Sequence, residues 1–165
     1  MRSDKLIQRF DLQPHPEGGW YKQTYKSNEQ VAASVLPQRF NGDRPFSTAI
    51  YFLLEKENFS AFHRIKSDEC WHFYAGGPLL IYVIHPGGKL DTITLGNDID
   101  KGHTFQYVVP ANCWFASRPA PGSEYCFVGC TVSPGFDFEN FELAKADEII
   151  SLYPQHAALI GSLCR

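Results

Sequence analysis

The sequence predicts an all-β domain, an antiparallel sandwich or barrel with helix confined to the two ends. Two observations carry that expectation. Thirteen Gly and 11 Pro divide the 165 residues at intervals of roughly ten positions, the rhythm of turns between short antiparallel strands. Between those breaks lie segments rich in aromatic and β-branched side chains, in a chain that is 15% aromatic, and such residues favour a pleated, half-buried surface. A chain of this length forms one domain, residues 1–165, because a single core of that size buries roughly 70% of the surface exposed on unfolding.

Along the chain, Asp4–Arg9 is a short helix candidate. Ser47–Leu54 (STAIYFLL) is a continuous apolar run and predicts a buried strand. Phe59–Ile65 follows the short charged turn EKEN, which predicts a hairpin between the two. Cys70–Tyr74 and Leu79–Ile84 flank Ala75-Gly76-Gly77-Pro78 and form a second predicted hairpin, closed by His85-Pro86-Gly87-Gly88. Leu90–Leu95 alternates apolar and polar residues, as a half-exposed strand does. Phe105–Val109, Cys113–Ser117 and Tyr125–Val132 complete the series, while Asn41–Pro45 is a loop. Near the C-terminal end, Asp147–Leu152 predicts a helix capped by Asp147 and stopped by Pro154, with a further helical turn within Gln155–Leu163.

Charge and composition exclude several classes of partner. Fifteen Lys plus Arg against 18 Asp plus Glu give a net charge of -3 with no basic run. Nucleic acid is not an expected partner, since phosphate neutralisation supplies most non-specific affinity. No apolar stretch reaches the roughly 18 to 20 residues that cross a bilayer, and MRSDKLIQRFDLQ lacks the apolar core of a secretory signal. A cytoplasmic protein without a membrane partner is expected. Cys70, Cys113, Cys126, Cys130 and Cys164 form no CxxC pair, and free, mostly buried thiols are the expectation.

The residues with most chemistry lie in His63-Arg64-Ile65-Lys66-Ser67-Asp68-Glu69, with Gly76 beyond. Strand alternation places His63 and Ile65 on one face, and Glu69, opening the next strand, can point into the same interior. An imidazole and a carboxylate would then share one cavity, as an acid–base pair or as a buried structural pair. His15-Pro16-Glu17-Gly18-Gly19-Trp20 has two glycines suited to a tight turn. It is either structural, with Trp20 and Tyr21 covering a barrel mouth or dimer seam, or functional, with Glu17 closing the pocket from a partner chain. Lys22 and Arg64 are candidates to bind an anionic group, and Trp71 to stack on a ring. Phe115 is a candidate cavity wall, although the aromatic series Trp71, Phe73, Trp114 and Phe115 is more often core. His85, His103 and His156 are expected in solvent.

The spacing of His63, Glu69 and Gly76 resembles the first cupin motif, HxHxxxE and a Gly after six residues, with Ile65 in place of the second His. Pro110-Ala111-Asn112-Cys113-Trp114-Phe115 keeps the Pro of the second motif, and Phe115 replaces its His. HPEGGWYKQTYKS, STAIYFLL, DECWHFYAGGPL, VVPANCW and GCTVSPGFDFENFELA, in that order, resemble the cupin-5 (DUF985) family over about Leu12 to Tyr153. The resemblance implies a double-stranded β-helix, or jelly-roll barrel, and a homodimer in which an N-terminal strand joins the partner's sheet. Members are compared with sugar-nucleotide epimerases and seed-storage cupins.

Metal-dependent cupins hold their ion with three His and one Glu, of which this sequence supplies two. His72 is a candidate replacement, but alternation points it away from Glu69. No cofactor is expected beyond a weak divalent ion at His63 and Glu69. The expected function is binding of a small molecule, with isomerase- or epimerase-like chemistry on a carbohydrate or nucleotide-sugar. His63 and Glu69 would be the acid–base pair, and Tyr51 or Tyr125 (or Tyr74) the opposing acid. A metal-dependent, dioxygenase-like enzyme and a non-catalytic binding or protein-interaction module are the alternatives.

Overall fold

The turn-punctuated apolar segments become short strands in the computed structural model, which describes residues 2–165. In chain order they are β1 (Gln13–Pro14), β2 (Trp20–Lys26), β3 (Gln30–Val31), β4 (Arg44–Pro45), β5 (Thr48–Glu55), β6 (Ser60–Arg64) and β7 (Asp68–Gly76). There follow β8 (Leu79–Ile84), β9 (Leu90–Leu95), β10 (Gln106–Val109), β11 (Trp114–Pro119), β12 (Tyr125–Ser133) and β13 (Glu142–Leu143). Helices are α1 (Ser3–Phe10), α2 (Ala146–Leu152) and α3 (Ala157–Ser162), all at the ends of the sequence. Among the described residues no helix is long and apolar enough to cross a membrane.

A six-stranded antiparallel sheet, β1-β2-β5-β12-β7-β10, faces a five-stranded one, β13-β6-β11-β8-β9. Both predicted hairpins are corrected by this topology. β5 and β7 belong to the six-stranded sheet, whereas β6 and β8 belong to the five-stranded one. The EKEN and Gly-Gly-Pro turns therefore carry the chain from one layer to the other. β4 pairs with β3 within what the sequence marks as a loop. Asp147 lies in the first turn of α2 rather than capping it, and the cap position is Lys145, without a side-chain bond.

Packing follows from strand alternation. Phe52, Leu54, Trp71 and Val128 meet Leu79, Ile81, Val83 and Phe115 between the sheets. α2 and α3 cover the outer face of the five-stranded sheet through Ile149 and Ile160 on Phe62, Tyr82 and Trp114. α1 covers part of the opposite face, where Leu6 packs with Leu53 and Phe127. All five cysteines are free thiols, as expected.

Candidate functional site

The space between the sheets is not filled throughout. A cavity of about 240 Å³ remains, lined on the six-stranded side by Tyr21, Gln23, Thr48, Ile50, Phe52, Glu69, Cys130 and Val132. His63 and Ile65 line it from the β6 side, His15 and Glu17 from the β1–β2 turn, and Phe136, Phe138 and Phe141 from the segment after β12.

The β1–β2 turn delivers the residue that completes the site. His15 and Gly19 bond backbone to backbone, with Gly18 N–H donating to the His15 carbonyl. Gly18 adopts φ +113°, and a Cβ there would lie 2.1 Å from the Phe59 carbonyl oxygen, so glycine is required. The Glu17 carbonyl accepts from Ala61 N–H at 2.9 Å, which ties the turn to β6 and directs the carboxyl inward. Glu17 thus enters the cavity of its own chain, which corrects the expectation that it reaches a partner's pocket.

Inside, Glu17 meets two groups of β6. Ser60 donates its hydroxyl to Oε1 at 2.8 Å, and His63 Nε2 lies 3.1 Å from Oε2. Ser60 and His63 are three residues apart, so simple alternation would put them on opposite faces. A register shift against β11, where Phe115 pairs with His63 and Ser117 with Ser60, inserts an extra residue and turns both toward Glu17. The His63 ring lies between Phe115 and Phe141, with centroids at 4.1 and 5.3 Å.

Hydrogen bonding fixes the proton count. His63 Nδ1 lies 2.7 Å from the Ala61 carbonyl, which only accepts, so Nδ1 carries hydrogen. Nε2 and Glu17 Oε2 then share one further proton. Burial pushes His63 below, and Glu17 above, its ordinary range, and both directions favour the uncharged arrangement, a carboxyl O–H donating to Nε2. Burial thus outweighs the rise in imidazole basicity that a neighbouring carboxylate would produce. His15 accepts the Glu17 backbone N–H at Nδ1, at 3.3 Å, and burial also lowers its pKa.

Glu69 lies across the same cavity, but not in the direct pair with His63 that the motif spacing suggests. Glu17 forms that contact; Glu69 makes no ion pair within 4 Å among the described residues. Burial raises its pKa to about 7, and the Cys130 thiol beside it opposes that rise.

Seven sequence candidates lie outside the lining. Tyr51, between the inward-facing Ile50 and Phe52, points outward beneath α1, its ring 4.8 Å from Phe10. Tyr125 packs in that same outer cluster, and Tyr74 is an outer neighbour of Tyr51. Lys22 pairs with Asp11 at 2.7 Å. Arg64 bonds Glu142 at 2.7 Å and stacks on Trp114. Trp71 is buried edge-on to Phe52 and Phe115, so no ring face is open for stacking, and Phe115 lies beneath His63 instead of on the cavity surface. His85 and His156 are half-engaged, bonding Asp91 and the Gly88 carbonyl. His15, Tyr21, Gln23, Thr48 and the three phenylalanines are lining residues that motif reading passes over. Only the repeated Phe of GFDFENF hints at the last group.

The donor set does not suit the metal ion common in cupins. His63 has one ring nitrogen committed to Ala61 and the other facing Glu17, and Ile65 offers no lone pair. His72 bonds Thr131 and Gln106 on the other face of β7. Among the described residues no group of three or more His, Cys, Asp or Glu side chains is arranged to hold an ion. No step is assigned to an ion at His63 and Glu69.

Two facing antiparallel sheets around a cavity with acid–base residues define the cupin class. Within it, residues 4–144 match the Cupin_5 profile, described as cupin superfamily (DUF985), and the chain belongs to that family. A Shewanella oneidensis protein of solved structure is 39% identical, with TM-score 0.89, over 100% of this chain and 98% of its own. A hypothetical protein from Leishmania major is 34% identical, with TM-score 0.92, over 99% of each. An uncharacterised protein of Saccharomyces cerevisiae is 29% identical over 96% of this chain and 84% of its own. Oxalate decarboxylase from Bacillus subtilis shares the fold alone, at 13% identity and TM-score 0.54, over 91% of this chain and 36% of that one.

Proposed function

We propose that the chain binds a small, carbohydrate-sized molecule in the cavity and moves a proton on it, as an isomerase or epimerase does. One observation carries this reading: His63 Nε2 and Glu17 Oε2, both on buried side chains, face each other at 3.1 Å, the reach of a proton transfer. Such a pair donates or accepts a proton without creating a net buried charge. Glu69 and Tyr21 on the facing sheet are the complementary acid–base groups, since inversion at a carbon needs proton exchange from both sides. A whole nucleotide-sugar is not favoured, because about 240 Å³ is below the usual pocket range and no Lys or Arg lines the cavity.

The test is exchange of carbon-bound hydrogen with D2O, followed by NMR on small sugars and hydroxy-ketones that raise the melting temperature. The wild type should exchange at least about a hundredfold faster than Glu17→Gln, the scale of general acid–base catalysis. Ligands that bind without exchange would instead support a non-catalytic binding module.

A homodimer in the cytoplasm belongs to the same proposal. Tyr25, Ala49, Thr131, Cys70 and Val108 form one uncharged cross-strand row on the outer face of the six-stranded sheet, and Tyr25 and Val108 are about half exposed. This supports association through that face. Sedimentation should give a dimer for the wild type and a monomer for Val108→Asp with Tyr25→Asp.

A further inference from the structure

The cavity joins two features that rarely occur together without a counter-charge. Its carboxyl groups are buried, with Glu17 6% and Glu69 8% exposed, and among the described residues no Lys or Arg side chain lines it. Glu17 is matched by Ser60 and His63. Glu69 lines the cavity without a charged partner within 4 Å among the described residues, and the Cys130 thiol beside it is only a weak donor. Buried polar groups that lack partners in a folded chain point to something that supplies them. Opposite stand Phe136, Phe138 and Phe141, with mutual ring distances of 4.9 to 6.3 Å. Aromatic faces attract organic cations as well as apolar surface.

We propose that the ligand is a small protonated amine on a compact ring or alkyl body, its ammonium paired with Glu69 and its body held among Phe136, Phe138 and Phe141. This rests on reading the cavity as a ligand site, and it narrows the substrate class to amine-bearing molecules, amino sugars included. An anion finds no positive partner among the lining groups, and a neutral molecule gains no ion pair with Glu69.

Binding then involves a proton. The titratable groups lining the cavity with Glu69 are His63 on β6, Glu17 and His15 on the β1–β2 turn, Tyr21 on β2 and Cys130 on β12, with Cys70 next to Glu69 on β7. None carries a fixed positive charge. Glu69 holds its proton up to about pH 7, so an ammonium displaces that proton below neutrality and meets a free carboxylate above it. Affinity for the amine therefore rises with pH through this range.

The experiment is calorimetric titration of the full chain with cyclohexylamine, cyclohexanol and cyclohexanecarboxylate at pH 6 and pH 8, in two buffers of different ionisation enthalpy. The amine should bind at least about tenfold more tightly than the alcohol at pH 8, the scale of one charge-assisted bond. The carboxylate should bind most weakly, and the amine should release a proton at pH 6. Glu69→Gln should retain the alcohol and lose the preference for the amine. Proton release by the wild type tests the same point without any variant. Equal binding of amine and alcohol would overturn the cation assignment while leaving the cavity a ligand site. Failure of all three to bind would overturn both.

Discussion

Ser60 shows how much of the site depends on one hydroxyl. It is fully buried, and at 2.8 Å it is the only direct donor to Glu17 Oε1 among the described residues. Without it a buried carboxyl oxygen is left unpaired, at a cost of about 1 to 3 kcal/mol. Ser60→Ala should lose that much stability in a denaturant titration, and the Glu17–His63 contact should loosen with it. His63 and Glu69 are legible in the sequence because their spacing, with Gly76, matches a known motif. Glu17 is legible only as a carboxylate beside two glycines. Its pairing with His63 depends on a bulge in β6, which no local pattern records. Tyr51 and Tyr125 are misread because a tyrosine on a buried strand can face either side. Settling that requires knowing that Ile50 and Phe52 point inward.

The β1–β2 turn is the element that converts a barrel into a site. A methyl group on Gly18 would strike the Phe59 carbonyl at 2.1 Å in a backbone region that L-residues avoid. Gly18→Ala should therefore cost about 2 kcal/mol or more and draw Glu17 away from His63. Both effects are measurable, as a lower melting temperature and as lost ligand-induced stabilisation. At this scale local patterning is a good guide to where strands lie and a poor one to what they pair with. β8 and β9 have the predicted bounds, Leu79–Ile84 and Leu90–Leu95, since turns and alternation are written within each segment. The layer crossings at EKEN and Gly-Gly-Pro look like hairpins because a short turn contains no record of which sheet receives the next strand. β1, β3, β4 and β13 have two residues each, too few for any period to be visible.

For the whole molecule, two carboxyls and two imidazoles of the cavity make stability depend on pH in opposite senses. Glu17 and Glu69 are raised from 4.5, so the folded state holds their protons more tightly than the unfolded chain does. Their contribution is complete below about pH 4.5 and is lost as pH rises; for Glu69 the loss ends near pH 7. At about 1.4 kcal/mol per pH unit, Glu69 alone accounts for about 3 kcal/mol. His15 and His63 are lowered from 6.5, so their stabilisation is complete above that value and is lost as pH falls. Between pH 4.5 and 6.5 the two trends oppose each other. Above this window only the carboxyls act. Denaturation midpoints should therefore vary little across mildly acidic pH, where the trends oppose, and fall from there toward pH 7 as the carboxyls ionise. Glu69→Gln keeps the shape of the side chain without its charge, and it should flatten the alkaline fall while leaving the acid side in place. A variant whose midpoint falls as steeply as the wild type from pH 6 to pH 8 would show that Glu69 is ionised and satisfied at neutral pH, with no buried charge left for a cationic ligand to match.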